Sequence, residues 1–365
     1  MTRTKGISVA TLLLFVVAAC GSNAERKKSA DDPSGGSSSN SESSAPRTAD
    51  EQACDDLYKA QVEWTHRCGG LMNDSPYAVQ RFRRVCAREL GASGTENLRQ
   101  TQARCSELRK SAACDAKIPE CELPAGTLPD GAPCGARSQC QSRFCMLDET
   151  GCGKCAPQIK AGGPCLLASD CATADGEIAS CDFDGKSMVG TCSVHKLVKS
   201  GEECSAQNFC NIGAHCDVAT KDAKSGKCVA NQGEGGGCDD TLACQLGLVC
   251  RSGKCSRRPT EGQACTAYDE CAEGLGCDKT CQKVVYVKSG EECNGVRRCE
   301  RGVCLQRVEQ KEDGKVVPSG PATCMDALAD GNACGIDQLK SGLVCDHFAR
   351  CLGGHCVLPD ATACH

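Results

Sequence analysis

Cysteine is the residue that most constrains this chain, because 37 of its 365 residues are cysteine. A content of about 10% is typical of a disulfide scaffold, and such scaffolds form in oxidising compartments. Aromatic residues make up only 3% of the chain, with a single Trp. Large apolar side chains are therefore scarce, and the sequence predicts a small disulfide-rich fold in which cystines replace most of a hydrophobic core.

The N-terminus has the pattern of an export signal. Arg3 and Lys5 precede an apolar run at 7–17, which is shorter than the roughly 20 residues of a membrane-spanning helix. The run ends in V-A-A-C-G, which resembles the lipobox of bacterial lipoproteins. The resemblance implies a signal peptide at 1–19 and a lipidated Cys20, with diacylglycerol on the thiol and a fatty acid such as palmitate on the amine. The alternative, an ordinary secretory signal, leaves Cys20 free.

Cysteine parity favours the lipobox, since 36 cysteines remain without Cys20 and an even number can all pair. Gly21 follows the cysteine, where Asp retains many lipoproteins at an inner membrane, so the family resemblance implies the outer membrane or cell surface. Residues 20–52 are rich in Ser and Gly and poor in apolar side chains. They are predicted to be the lipid anchor and a disordered tether.

Residues 53–122 form a predicted helical module with sparse cysteines. Apolar residues recur at helical spacing in three segments, Ser75-Pro76 is a start signal for the second helix, and Ser93 with Glu96 has the pattern of a capping box for the third. A continuous first helix separates Cys54 from Cys68 by about 21 Å, too far for a disulfide, so each is expected to staple the helix to a different neighbour. The cysteines of this module are Cys54, Cys68, Cys86, Cys105, Cys114 and Cys121.

Residues 123–365 are predicted to be an array of about seven cystine repeats. Gly-x-x-Cys opens each repeat, and the string V-K-S-G-E-E-C occurs at both 198–204 and 287–293, which indicates internal duplication. In the first six repeats five residues separate the first cysteine from the second, whereas in the last repeat ten residues separate Cys334 from Cys345. The opening cysteine pairs are Cys134 and Cys140, Cys165 and Cys171, Cys204 and Cys210, Cys238 and Cys244, Cys265 and Cys271, and Cys293 and Cys299.

A repeat of about 30 residues cannot bury enough apolar surface to fold alone, so cystines must hold it. Four cysteines allow three connectivities, and their spacing does not choose among them. We expect short two-stranded β-hairpins, little helix, and modules arranged in a rod or a bent row.

The first repeat resembles a known extracellular module. Its cysteines Cys134, Cys140, Cys145, Cys152 and Cys155, with the C-x-x-C close, are similar to the N-terminal cysteine-rich region of the Dickkopf family. The shorter repeats are less specifically similar to that pattern or to EB and other extracellular cystine modules. The whole layout resembles cysteine-rich lipoproteins of Gram-negative soil bacteria. These resemblances imply the scaffold and an extracellular binding role, without identifying the partner.

Other motifs have a functional and an ordinary interpretation, and the ordinary one is preferred for each. Arg81, Arg83, Arg84 and Arg88 on the second helix are interpreted as a solvated face rather than a stripe for acidic glycans or phosphates. Cys152-x-x-Cys155 is interpreted as structural rather than redox-active, and S-x-D-x-D-G at 180–185 as turn acidic residues rather than a calcium loop. His347, His355 and His365 lack a metal-binding spacing.

These features predict an outer-membrane or cell-surface lipoprotein whose cystine modules bind an extracellular protein or glycan in adhesion or recognition. The alternative is a protease-resistant structural envelope or coat protein, and a secreted inhibitor or an enzyme ranks last. The sequence predicts no catalytic residue, metal or cofactor. A net charge of -5 and export argue against nucleic acid as a partner, which leaves the membrane, through the lipid anchor, and an extracellular ligand.

Overall fold

The computed structural model describes residues 46–364, except for Lys186, 221–222, 240–242, 268–269 and 311–315. The predicted signal peptide, Cys20, the tether as far as residue 45 and His365 therefore lie outside the described residues.

Three helices form the N-terminal part, here called the helical unit (46–122), as the sequence predicts: α1 (Ala49–Arg67), α2 (Pro76–Leu90) and α3 (Leu98–Ser111). α1 begins before the expected boundary at 53, because Thr48 and Glu51 form a capping box at its N-terminus. Ser75 caps α2 as predicted, since its Oγ accepts a hydrogen bond from the backbone N of Ala78.

The capping box predicted for Ser93 and Glu96 is wrong. α3 begins at Leu98, and the Glu96 carboxylate accepts hydrogen bonds from the backbone N of Gly94 and from the Thr127 hydroxyl. Gly94 has a φ of 86°, so the chain turns there before the helix can start. The turn serves contact with the repeat array rather than helix initiation.

Each helix is covalently tied to the rest of the helical unit. The disulfides are Cys54–Cys86, Cys68–Cys114 and Cys105–Cys121. Cys54 and Cys68, at the two ends of α1, bond different partners, which confirms the prediction made from helix length. None of the helices in the described part of the chain has the length and apolar character that a bilayer crossing requires.

Beyond the helical unit the described residues form short strands, two single-turn 3-10 helices and the short α-helix α4 (Ile336–Lys340). The strands are β1 (Pro133–Cys134), β2 (Cys145–Leu147), β3 (Gly153–Cys155), β4 (Pro164–Cys165), β5 (Glu177–Asp182), β6 (Gly190–Val198), β7 (Glu203–Ser205), β8 (Asn208–Cys210), β9 (Ala214–Asp217), β10 (Ser225–Ala230), β11 (Leu248–Arg251), β12 (Lys254–Arg257), β13 (Leu275–Asp278), β14 (Thr280–Lys283), β15 (Val285–Val287), β16 (Arg297–Cys299), β17 (Val303–Gln310), β18 (Val316–Met325), β19 (Arg350–Leu352) and β20 (His355–Val357). They pair as antiparallel hairpins, with short parallel links such as β6 to β8, and the predicted fold class is confirmed.

The array contains seven modules, each named by the range from its first to its last crosslinked cysteine. They are one (134–155), two (165–192), three (204–228), four (238–255), five (265–281), six (293–324) and seven (334–356). In every module the first cysteine bonds the third and the second bonds the fourth, when the additional Cys152 of module one is left out of the count. Module seven keeps this pairing, as Cys334–Cys351 and Cys345–Cys356, because α4 occupies its longer first loop.

The hairpin of each module places its third and fourth cysteines directly opposite one another. In module four, for example, Cys250 of β11 lies opposite Cys255 of β12, and these two residues bond Cys238 and Cys244 respectively. The two crossing cystines therefore form the buried centre of the module. Cys134, Cys140, Cys145 and Cys155 form the equivalent buried cluster in module one.

The turn just before the third cysteine faces the helical unit in several modules. A Cβ added at Gly213, Gly247 or Gly274, all at positive φ, would lie within 4 Å of the helical unit, at Asp115, the Arg67 carbonyl oxygen and His66 respectively. The opening glycines, such as Gly131, also have positive φ but face open space. The repeat therefore uses one glycine turn for contact and the other for a solvent-exposed bend.

The array wraps round the helical unit and closes on itself. Modules three, four and five contact the end of α1 and the segment after α3, whereas modules six, seven and one contact the helical unit between residues 71 and 96. Cys152 of module one bonds Cys364, 212 residues away. The expected rod or bent row did not include this closure, which makes one covalent ring of the modules.

Candidate functional site

A group of buried charges joins α2 to module seven. Arg81 is only 6% exposed. Its guanidinium donates two hydrogen bonds to the Asp330 carboxylate, at 3.0 and 2.8 Å, and a third to the backbone O of His347. Because a planar guanidinium matches a carboxylate in this bidentate way, Arg81 fixes the angle at which the last module meets the helix.

Asp346 is the acidic centre of the same group and is 1% exposed. The Tyr77 hydroxyl, the Arg301 guanidinium at 2.8 Å and the His347 backbone N at 2.8 Å all donate to its carboxylate. Burial by itself raises the pKa of Asp346, but these donors together with the His347 ring and the Arg301 charge outweigh burial and hold the pKa well below its usual range. Burial and the contact with Asp346 raise the pKa of Tyr77 to about 12.

An aromatic side chain of module seven, Phe348, also packs against the helical unit. Phe348 has a φ of 65° and stands three residues before the third cysteine of its module, the position that glycine holds in modules three, four and five. Its ring meets Phe82 with centroids 5.5 Å apart and Tyr58 at 6.4 Å. A left-handed backbone is costly for a bulky residue, so packing against the helices must hold it there.

Part of the arginine face of α2 is thus a contact surface, and its interpretation as a solvated face is wrong for Arg81 and Arg83, whose side chains are largely buried, whereas Arg88 stays partly exposed. Arg81 binds module seven, Arg88 forms an ion pair with Asp360 at 3.1 Å, and Arg83 pairs with Asp55 of α1 at 2.6 Å. Arg84 is exposed, as expected. Helical periodicity located the face but could not reveal that distant acidic residues cover it.

Module one meets the helical unit through polar groups that are almost fully buried. Ser138 and Gln139 are 1% and 0% exposed. The Gln139 amide donates to the Ser93 carbonyl oxygen, while its own oxygen accepts from two backbone N–H groups of module one. Ser138 donates to the Glu89 carboxylate. The buried polar groups described so far, including Asp346 and Tyr77 with their shifted pKa values, therefore hold the array to the helices.

A pocket of about 310 Å³ lies on the seam between the helical unit and module six. Leu71, Met72 and Asn73 line it from the loop after α1, and Tyr286, Asn294 and Arg298 line it from the array. We call it the seam pocket. Nη2 of Arg298 is buried and has no hydrogen-bond partner, which marks it as a donor available to a ligand.

Module two carries the largest share of exposed apolar side chains in the described chain. Leu166, Leu167, Phe183 and Val189 are 37%, 42%, 49% and 47% exposed, and they make up four of the eight exposed large apolar residues. Strand register brings three of them together, because β4 pairs Cys165 with Gly190, and β5 pairs Asp182 with Thr191. The residues just beyond these pairs are Leu166, Val189 and Phe183, and Leu167 follows Leu166 in the chain. We call these four residues the apolar tip.

The apolar tip is mounted on a rigid frame. Module two is held by Cys165–Cys181 and Cys171–Cys192, and β6 continues into a parallel pairing with β8 of module three. At this joint the His195 ring stacks on Phe209 with centroids 4.3 Å apart. The two disulfides and the pairing with β8 restrict the backbone from which the exposed side chains project.

The predicted structural role of Cys152 and Cys155 agrees with their bonding, although they do not bond each other. Cys155 pairs with Cys140 inside module one, and Cys152 pairs with Cys364. Groups of three cysteine sulfurs lie within 4.8 Å in several modules, as at Cys134, Cys140 and Cys155. These sulfurs belong to crossing cystines, which lack the thiolate charge that zinc binding requires.

The sequence 180–185 is part of a hairpin rather than a calcium loop. Both carboxylate oxygens of Asp182 accept hydrogen bonds, one from the Ser180 hydroxyl and one from the Ser193 hydroxyl. The pKa of Asp182 is lowered, chiefly by the hydrogen bond from Ser193. Burial raises this pKa, but the bond from Ser180 lowers it further, so the net shift is downward. The acidic side chain is engaged within its own sheet.

The structure describes two of the three C-terminal histidines, and these two contact different partners. The His347 ring contacts the Asn73 side chain at 2.8 Å, where module seven meets the helical unit, whereas the ring of His355 contacts the Gly331 carbonyl oxygen. Their neighbours are backbone and side-chain groups of this chain. The third, His365, lies outside the described residues.

Sequence reasoning did not identify Arg298, Asp346, Phe348 or the apolar tip. Phe348 had a signal, because it occupies a turn position where other repeats have glycine. Asp346 and Arg298 had none, since each depends on residues of another module or of the helical unit. Comparison with known protein families, with curated proteins and with solved structures finds no match for this chain.

Proposed function

We propose that this chain is an exported, lipid-anchored surface protein that recognises an extracellular protein through the apolar tip of module two. Eighteen disulfides belong to an oxidising, exported compartment, and the proposed lipid anchor at Cys20 would hold the ring at a membrane surface through the tether. The observation that carries the proposal is the concentration of exposed apolar residues on module two, where strand register brings the backbones of Leu166, Phe183 and Val189 close together.

An apolar cluster on an otherwise polar surface is typical of a protein contact. Burying two such side chains contributes on the order of 2 kcal/mol or more, even when each begins half-buried. A pre-oriented frame also reduces the entropy lost on binding, since the hairpin does not have to order itself. The apolar character favours a protein ligand over a glycan within the extracellular binding class.

The test compares the purified chain with a double variant, Leu167→Ser with Phe183→Ser. Fluorescently labelled protein is added to intact cells of a strain that lacks it, and bound fluorescence is titrated. We expect saturable binding that the double variant weakens about tenfold or more. Ile212→Ser is the matched control, because Ile212 is 55% exposed but lies in module three.

Pretreatment of the cells identifies the ligand class. Loss of binding after protease treatment supports a protein ligand, whereas loss after periodate treatment with protease resistance indicates a glycan and contradicts the proposal. Equal binding by the double variant and by Ile212→Ser would remove the apolar tip as the binding surface.

The second candidate is a structural coat protein without a specific ligand. The closed ring favours it, because Cys152–Cys364 joins the ends of an array that is already crosslinked inside every module. Concentration-dependent assembly of the purified chain, with no saturable binding to cells, would select this alternative.

A further inference from the structure

We propose that the seam pocket binds a small ligand that carries a carboxylate on an apolar body. The inference does not rest on the apolar tip, since the two sites lie on different modules and have different chemistry. It starts from the Arg298 guanidinium, whose Nη2 is buried and has no partner.

An unpartnered buried donor of a charged group is uncommon in folded proteins, because its desolvation is uncompensated. A ligand carboxylate is the acceptor that fits a guanidinium best, since two oxygens can accept two parallel N–H donors. The neighbouring Arg297 shows how this chain satisfies an arginine without a ligand: its Nε donates to the Glu292 carbonyl oxygen and its Nη2 lies 3.6 Å from the Glu291 carboxylate.

The remaining walls of the pocket determine what the carboxylate is attached to. Leu71 is 39% exposed and Met72 is half-buried, and both offer apolar surface from the helical unit. Asn73 and Asn294 add neutral polar groups at the same seam. A volume of about 310 Å³ is at the small end of ligand sites, which suits a molecule about the size of an acylated amino acid.

Asp74, an acidic residue of the helical unit, contacts a side chain that lines the pocket. The Tyr286 hydroxyl donates to the Asp74 carboxylate and accepts from the Asp74 backbone N, at 3.0 Å. These bonds fix the Tyr286 ring as a wall of the pocket and hold Asp74 at its rim. The pocket is therefore formed by residues of the helical unit and of the array together, and Arg298 supplies its positive charge.

The experiment titrates the purified full chain with N-acetyl-leucine and N-acetyl-phenylalanine, and with the carboxamides of both compounds, by calorimetry at low salt. We expect the acids to bind with dissociation constants in the millimolar range or below, and the carboxamides to bind at least tenfold more weakly. Arg298→Met keeps an unbranched apolar stem and removes the charge, so it should abolish the preference for acid over amide.

Arg297→Met is the matched control, because Arg297 is the exposed neighbour on the same strand and lines no part of the pocket. It should retain the binding of the parent chain. Unchanged thermal unfolding of both variants shows that each is folded. The proposal is overturned by any of three results: no binding of either acid at 10 mM, equal binding of acids and amides, or equal binding by the Arg298→Met variant.

Binding of N-acetyl amino acids but not of longer peptides with a free C-terminus would assign the pocket to free small carboxylic acids. Binding of both would assign it to peptide C-termini as well. Either result supports a carboxylate site and leaves the test of the apolar tip unaffected.

Discussion

The disulfide that closes the ring should contribute more to stability than a disulfide inside one module. Cys152–Cys364 joins residues 212 positions apart. In an unfolded chain that keeps its other disulfides, the shortest covalent path between them is about 115 residues, for which chain entropy predicts about 5 kcal/mol at 25 °C. The same relation predicts about 3 kcal/mol for Cys244–Cys255, with a separation of 11.

The perturbation is the paired change Cys152→Ser with Cys364→Ser, and the assay is guanidinium unfolding without reductant, followed by Trp64 fluorescence. Trp64 lies in α1 with the Arg109 guanidinium 5.9 Å from its ring, so it reports on the helical unit that the ring surrounds. We expect the free energy of unfolding to fall by about 5 kcal/mol, and by about 3 kcal/mol for the Cys244→Ser and Cys255→Ser pair.

A loss below about 1 kcal/mol in the closure variant would refute this reasoning. It would mean that the modules unfold independently, and that joining the first to the last restricts nothing that folding must order. Peptide mapping of the parent chain without reduction provides the direct check, since a crosslinked peptide must contain both Cys152 and Cys364.

Two further changes test the seams between the helical unit and the array. Asp346→Asn should lower the free energy of unfolding by about 2–3 kcal/mol at neutral pH, because it removes the buried negative charge that faces Arg301 and replaces one of the two acceptor oxygens with an NH2 group. The folded-state pKa of Asp346 lies below the unfolded value of about 4, so this stabilisation is full above pH 4 and is lost as pH falls through the folded-state pKa. Chemical unfolding of the parent chain and the variant between pH 7 and pH 2 measures how the difference between their free energies of unfolding shrinks. A pH-independent difference would contradict the assigned role. Gly94→Ala should destabilise by about 2–3 kcal/mol, and Gly131→Ala by about 1 kcal/mol, in thermal unfolding. Both glycines have φ near +87°, but only a Cβ at Gly94 would collide with module one, 2.8 Å from the Gln139 carbonyl oxygen; equal losses would show that this seam is loose.

Much of the local structure could be predicted from the sequence, because its causes are close together in the chain. The three helices follow from apolar spacing and from the Ser75 cap, and the modules follow from cysteine spacing and the glycine turns. Helix length alone excluded a bond between Cys54 and Cys68. The error at Ser93 and Glu96 has a non-local cause, since Glu96 is held by Thr127 of the array.

Cysteine spacing determined that this protein is a chain of cystine modules behind a helical unit, because each module needs only its own four cysteines and the turns between them. Spacing could not determine which modules meet. Asn73 contacts His347 across 274 positions, and Cys152 finds Cys364 across 212. Such contacts depend on how every module packs against the helices, and that packing alone decided that Arg81 and Phe348 face the helix–array seam and that Arg298 faces a pocket.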